Sequence, residues 1–503
     1  MFVTKSGFST GFFRNGTNML SFYISVFLTL AVNGCGGKTI VCYYSNWAYW
    51  RTGTGKYEVD DIDLNLCTHL MYSFAVLDGT TYKMKAHDAW LDLEDGGGLG
   101  NYKKFTALKQ KKAGIKTLLA LGGWTDSLEG NGNKYSVLVA SASKRQSFIT
   151  HAITFLQTYG FDGLDLDWEY PAYYGNAADK VNFATFVQEL KTAFQPHGFL
   201  LTAAVAAGEA TSSKGYDIPK ISQYLDLINL MTYDMHGDWD PIADHHAPLY
   251  SRDTVSDNLN CDNAVNYWID NGAPASKLVL GVPVYGRSFT LSSNDKTPPA
   301  PASGKGPSGP ILGETGYMSY LEICMDINSG WTVVQDQNNQ MGPYAYKGNQ
   351  WIGYDDIDMA RKKAQYAMEK GLAGTMIWAI DLADFKNTCG DGRFQEHTWR
   401  CKISRTHVEM EGRLWRGERP LASGIGSPTP MRSAPVTSAW SHSWFFSPGP
   451  AGKSSRRNIN PSFLWQNKNF CTFFYRTSNR WWITLPRRLY QCNGKQQQQQ
   501  QRL

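Results

Sequence analysis

No stretch of this 503-residue chain is apolar for long enough to cross a bilayer. The marked apolar run, Met19 to Val32, is 14 residues long, whereas a spanning helix needs about 20. A stable membrane span is therefore excluded. Lys5 and Arg14 precede the run and small residues follow it through Gly37, which is the layout of a secretory leader. Residues 1–37 are accordingly expected to be a leader with a signal peptide, with Met19 as an alternative start, and the product is expected to be secreted and extracellular. Net positive charge is also confined to one segment. The chain carries +5 overall, but residues 395–503 hold 17 Lys and Arg against 4 Asp and Glu, which leaves the first 394 at −8. Nucleic acid is thus not an expected partner of the main body. Metal-ligand spacing is lacking too. His236, His245 and His246 have no Cys or Glu at matching intervals and read as a solvent-exposed loop. No metal or cofactor is expected.

What is present is a rhythm of short apolar or β-branched runs alternating with amphipathic stretches, the pattern of an α/β fold with a parallel sheet. Eight strands are predicted: Thr39 to Ser45, Thr68 to Val76, Lys116 to Leu121, Gly163 to Glu169, Leu200 to Ala206, Leu227 to Tyr233, Leu278 to Val284 and Gly374 to Ile380. Helical periodicity marks Lys144 to Tyr159, Lys180 to Phe194 and Asp358 to Lys370. Eight strands with helices between them fit a (β/α)8 TIM barrel. About seventy residues separate the seventh strand from the helix at Asp358, too many for an ordinary loop. Pro-Gly-rich turns and strand-like patches at Trp331 to Val334 and Tyr344 to Tyr346 predict a small α+β insertion there, at about residues 288–355. Nine cysteines in a secreted chain imply disulfides with at least one thiol left over, in a connectivity that spacing does not reveal.

The most informative segment is Phe161 to Pro171. Along a strand successive side chains face opposite ways, so Asp165, Asp167 and Glu169 share one face and Leu164, Leu166 and Trp168 the other. Three carboxylates on one face repel one another in a passive strand. A surface acidic run would not be interleaved with Leu, Leu and Trp, and a calcium loop needs a turning backbone. Glu169 comes last, before Tyr170-Pro171, where barrel enzymes keep their reacting groups. Neighbouring negative charge raises its pKa, as a general acid near neutral pH requires. Asp162 is out of phase with the ladder, and parity assigns it no role.

Asp162, Asp165, Asp167 and Glu169 also reproduce the Asp-x-x-Asp-x-Asp-x-Glu signature of the family-18 glycoside hydrolases, the chitinases and chitinase-like proteins, which residues 38–394 resemble. Met231-Thr232-Tyr233-Asp234 is similar to the family's Met-x-Tyr-Asp motif. The resemblance implies a secreted endochitinase that hydrolyses β-1,4-N-acetylglucosamine linkages with retention of configuration, with chitin and chito-oligosaccharides as partners. In this family the substrate's own N-acetyl oxygen is the nucleophile. Carried over by position, Glu169 protonates the glycosidic oxygen, Asp167 holds the acetamido N–H, Asp165 supports Asp167, and Tyr233 orients the acetamido carbonyl. Trp378 would floor the sugar ring. Tyr43, Trp47, Phe74, Trp124, Met231 and Trp239 match cleft positions, with Asp234, Arg287 and Glu314 as polar contacts. Each of these aromatics alone is more often core than ligand. The chain's wealth of 17 Trp and 27 Tyr suits stacking on sugar rings as well as core packing.

The resemblance further implies disulfides Cys42 to Cys67 and Cys324 to Cys389. It gives out near Phe394, where relatives run into a last barrel helix. Residues 395–503 are instead rich in Ser, Pro, Trp and Arg, close on six consecutive glutamines, and are expected to form a low-complexity, disordered basic tail. Two rivals stand beside the enzyme: a non-catalytic chitin-binding lectin that keeps the cleft, and a truncated, poorly folded product.

Overall fold

The computed structural model describes residues 38–390, apart from 129–132, 175 and 254–257. The expected leader and basic tail therefore lie outside the described residues, as does any last barrel helix.

Eight parallel strands close into a barrel: Thr39–Ser45, His69–Leu77, Lys116–Gly122, Gly163–Asp167, Leu200–Ala206, Leu227–Met231, Leu278–Pro283 and Gly374–Trp378. Each pairs with its neighbours in chain order. The first strand closes the ring, pairing Thr39 with Gly374 on one side and Val41 with His69 on the other. Strands buried on both faces need apolar side chains at nearly every position, which is why they read as continuous runs. Helices Ala142–Tyr159 and Asp179–Phe194 cover the outer face with Phe148, Ile149 and Leu156 and with Phe183, Phe186 and Leu190, all buried. Each such side chain contributes about 1.5–3 kcal/mol on burial.

The fourth strand ends at Asp167, two residues short of the sequence expectation. Its last ladder partner is Gly122, and Gly123 N–H then donates to the Asp167 carbonyl at 2.8 Å. Glu169 therefore stands on the loop leaving the barrel. The outward set behaves as predicted: Trp168 stacks on Tyr135 with ring centroids 5.5 Å apart and meets Phe183 edge-on at 5.9 Å. Asp162 is a strut at the opposite end, accepting from Thr117 N–H at 2.8 Å and pairing with Lys109 at 3.1 Å.

The close approach of the third strand to the acidic one depends on a single glycine. Gly122 has φ +120°, and a Cβ there would lie 2.1 Å from the Asp167 carbonyl oxygen. Gly122→Ala is expected to cost about 3 kcal/mol from backbone strain and overlap, lowering the midpoint by several degrees in calorimetry. A variant that melts with the wild type would show that the strands can part freely.

After the seventh strand the chain builds an antiparallel sheet from Tyr285–Leu291, Ala300–Lys305, Tyr317–Ser319, Thr332–Val334, Tyr344–Lys347 and Gln350–Tyr354. Ile242–Ala243, from the loop following the sixth strand, joins its edge. Helix Tyr320–Asn328 packs with it and opens on a capping box, Ser319 and Glu322 each satisfying the other's backbone N–H. This is the small α+β insertion expected between the seventh strand and its helix, Ile357–Glu369. It carries its own apolar cluster of Phe289, Leu291, Met341, Tyr344 and Trp351. Disulfides Cys42 to Cys67 and Cys324 to Cys389 are both formed, and Cys261 is a buried free thiol. Among the described residues no helix is long and apolar enough to cross a membrane.

Candidate active site

The alternation that aims Leu164 and Leu166 at the helices sends the carboxylates inward. Asp165 is fully buried at the centre of the barrel. It accepts from the Tyr43 hydroxyl at 2.8 Å, from the Thr202 hydroxyl at 2.5 Å and from the Asn229 amide at 3.2 Å. Burial raises its pKa to about 6 even though all three donors favour the charged form. Asp167, one step higher, is 3 % exposed, and its Oδ1 has no hydrogen-bond partner among the described residues. Burial, then the charges of Glu169 and Asp165, hold its carboxyl well above the usual range.

Glu169 is half-buried, and its backbone N–H donates to Ser127 Oγ at 2.9 Å. Its pKa is pushed up to about 8, chiefly by burial. A hydrogen bond from Tyr170 opposes the rise and the charge of Asp234 adds to it. The ladder thus becomes a stack of three carboxylates that resist ionisation, the outermost protonated at neutral pH. That is the state in which a carboxyl can give up a proton.

A second centre forms at the end of the sixth strand. Tyr233 is half-buried, with its hydroxyl 3.5 Å from Met376 Sδ, and burial together with the charges of Asp167, Glu169 and Asp234 keeps its phenol protonated. Met231, the last residue of that strand, is buried. Asp234 has a left-handed backbone, φ +55°. Its carboxylate takes a fork of hydrogen bonds from Arg287, Nε to Oδ1 at 2.7 Å and Nη2 to Oδ2 at 2.6 Å, and a third from the Tyr285 hydroxyl at 2.7 Å. Burial would raise the Asp234 pKa, but Arg287 and His246 outweigh it and hold the group well below the carboxylate range. The Arg287 guanidinium lies 5.2 Å from the Trp239 ring centroid and 5.1 Å from that of Tyr317. Glu314 is half-buried, and its charge reaches the Tyr317 phenol.

The expectation that His236, His245 and His246 form a solvent-exposed loop is wrong: all three are buried. They do sit in a loop, but the insertion roofs it. His245 Nε2 lies 2.9 Å from the Tyr354 carbonyl oxygen and His246 Nε2 lies 3.2 Å from that of Tyr285. Burial pushes the pKa of both His245 and His246 down, so they stay neutral. Among the described residues the one cluster with metal-ligand spacing is Cys324, Asp384 and Cys389, and its two sulfurs are already joined.

Aromatic rings wall the cleft. Trp47 stacks on Phe74 and Phe74 on Trp378, each pair 5.9 Å apart, and Tyr43 lies beneath Trp378 at 5.4 Å. Tyr43 is 1 % exposed, so it supports this wall and Asp165 from below. Trp124, which opens the helix Trp124–Leu128 after the third strand, and Trp239 are exposed. Peptide bonds Ser73–Phe74, Glu169–Tyr170 and Trp378–Ala379 are cis.

Sequence reasoning missed Thr202, Asn229, Ser127, Tyr285 and His246. Two of them carried a signal. Thr202 is the register partner of Asp165 on the next strand, and Asn229 interrupts the apolar run Leu-Ile-Asn-Leu-Met. Ser127 lies on the short helix Trp124–Leu128, His246 on a loop and Tyr285 in the insertion, and their approach to the site depends on tertiary structure.

Residues 39–383 match the family model described as glycosyl hydrolases family 18. Among curated proteins the chain is 46 % identical over 362 residues to probable chitinase 10 of Drosophila melanogaster, covering 70 % of this chain and 15 % of that one. It is 40 % identical over 380 residues to the endochitinase of Manduca sexta, covering 72 % and 67 %. Thus the chain spans only a small part of the Drosophila protein. Among solved structures it resembles catalytic domain 2 of the Group II chitinase of Ostrinia furnacalis, a mutant in complex with (NAG)5. That match has 45 % identity and a TM-score of 0.68, covering 71 % of this chain and 93 % of that one.

Proposed function

The chain belongs to family 18 of the glycosyl hydrolases, with chitinases as its relatives, and we propose that it is a secreted endochitinase cleaving β-1,4-N-acetylglucosamine linkages with retention of configuration. The observation that carries this reading is the column of carboxyls Asp165, Asp167 and Glu169 rising to the rim, with Asp167 Oδ1 buried and without a hydrogen-bond partner among the described residues. In the proposed reaction the substrate's acetamido oxygen attacks the anomeric carbon while Glu169 gives its proton to the departing glycosidic oxygen. Asp167 Oδ1 takes the acetamido N–H and stabilises the positive charge that develops on the resulting oxazolinium ring. Tyr233 donates to the acetamido oxygen and keeps it in line, a gain in orientation rather than in acidity. Glu169, now ionised, removes a proton from the incoming water, and attack of that water restores the configuration. Asp165, fixed by Tyr43, Thr202 and Asn229, holds Asp167 from below. Arg287 keeps Asp234 ionised at the cleft wall.

Hydrolysis of N-acetylglucosamine hexamers followed by proton NMR tests the reading. The first product anomer is expected to be β, with dimers to tetramers appearing together, as internal cleavage requires. An α anomer first would overturn retention, and release of dimers from one chain end alone would overturn endo action. Secretion is supported by the apolar run Met19 to Val32 and by two disulfides, which persist in oxidising compartments. The lectin alternative is weakened by the intact proton donor.

Tyr233→Phe removes the hydroxyl and keeps the ring. Turnover should fall about 10- to 100-fold through lost orientation, with the melting midpoint kept. Steady-state kinetics beside a thermal scan checks it.

A further inference from the structure

Trp124 is 47 % exposed, Tyr173 52 % and Tyr174 46 %. Their rings form one continuous patch: Trp124 to Tyr173 at 6.2 Å, Tyr173 to Tyr174 at 5.2 Å, and Tyr173 back to Tyr170 at 6.0 Å. Tyr170 is bonded directly to Glu169, so the patch begins at the proton donor and runs outward from it. Three large aromatic side chains open to water in one place are unusual on a protein surface without a ligand.

The backbone beneath the patch is anchored on both sides. Asp126 anchors the Trp124 helix, accepting from Lys134 Nζ and the Tyr135 hydroxyl, each at 2.6 Å. Asp179 anchors the tyrosine loop, accepting from Ala172 N–H at 3.3 Å and from the Ser136 hydroxyl at 2.7 Å. Backbone anchored before binding has less freedom to lose when a ligand arrives. Their flat faces suit the C–H faces of a pyranose, and their phenol hydroxyls suit its rim.

We propose that Tyr173 and Tyr174 extend the cleft beyond Trp124, forming an outlying binding position for further N-acetylglucosamine units of a long chain. This rests on the chitinase reading of the cleft. The occupant is the same polymer that passes Glu169, because the patch is continuous with the donor and carries no cation that would call for an anionic partner. Short oligosaccharides do not reach it.

The test uses the full chain carrying Glu169→Gln, with and without the pair Tyr173→Ala and Tyr174→Ala, titrated with N-acetylglucosamine trimer and hexamer by tryptophan fluorescence. The pair is expected to weaken hexamer binding at least fivefold more than trimer binding. Tyr173→Phe with Tyr174→Phe should restore most of the difference, since the ring faces remain. Equal weakening of both ligands, or weakening of neither, overturns the proposal. Failure of the Glu169→Gln parent to bind either oligomer would count against the cleft reading itself, so the two failures are separable.

Discussion

Glu169→Gln should lower kcat on N-acetylglucosamine oligomers by about 10³- to 10⁴-fold while making the protein more stable, not less. The first half follows from the role proposed for Glu169, since an amide cannot deliver the proton. The second follows from linkage. In the unfolded chain a glutamate ionises near 4.5, and in the folded chain burial pushes Glu169 up to about 8. Between those values the folded state holds more protons than the unfolded one, so stability falls as pH rises. Glutamine removes that slope. The variant and wild type should melt together near pH 4, and the variant should gain steadily up to about pH 8, by several degrees. The wild-type pH profile carries the same signature: kcat/KM should decline on the alkaline side as Glu169 ionises. Above about pH 8, where Glu169 would carry a charge, its replacement also lets Asp167 ionise more readily in the variant. Thermal scans across pH paired with single-turnover kinetics check both halves. A variant that loses activity by unfolding would assign Glu169 a structural role.

Asp167→Asn has the next largest expected effect. Asp167 Oδ1 is buried and unpartnered, an acceptor placed where a positive charge would develop. Asparagine keeps the shape but cannot become the carboxylate that would balance a developing cation. Removing a preorganised electrostatic contact of this kind costs roughly 10²- to 10³-fold in turnover. Because the interaction strengthens only as the oxazolinium forms, kcat and kcat/KM should fall together and KM should barely move. A rise in KM alone would make Asp167 a ground-state binding group.

Most of the barrel was legible because strand parity and strand register are local. The alternation in Gly-Leu-Asp-Leu-Asp-Trp-Glu decided which side chains enter the barrel, and five of the eight strands lie within one residue of expectation at both ends. Where the prediction ran two residues long, at Glu169, Tyr233 and Ile380, the strand ends because its neighbour has run out of ladder partners, which no single strand encodes. The buried histidines were misread for a related reason. His245 and His246 lie in a polar loop, and the carbonyls of Tyr354 and Tyr285 that bury them come from residues 109 and 39 positions further along. The cis peptide bond at Glu169–Tyr170 precedes no proline and left no mark in the sequence. Thr202 and Asn229 were readable in principle, as polar residues at inward positions of apolar strands, once the register with Asp165 is known.

If the substrate's own amide does the attacking, a sugar without that amide cannot become the new chain end. Digesting partly deacetylated chitosan with the full chain and reading the new reducing-end sugars by NMR tests this most directly. N-acetylglucosamine is expected at every new reducing end, whatever the starting acetylation. Glucosamine at those ends in proportion to its abundance in the polymer would contradict the account.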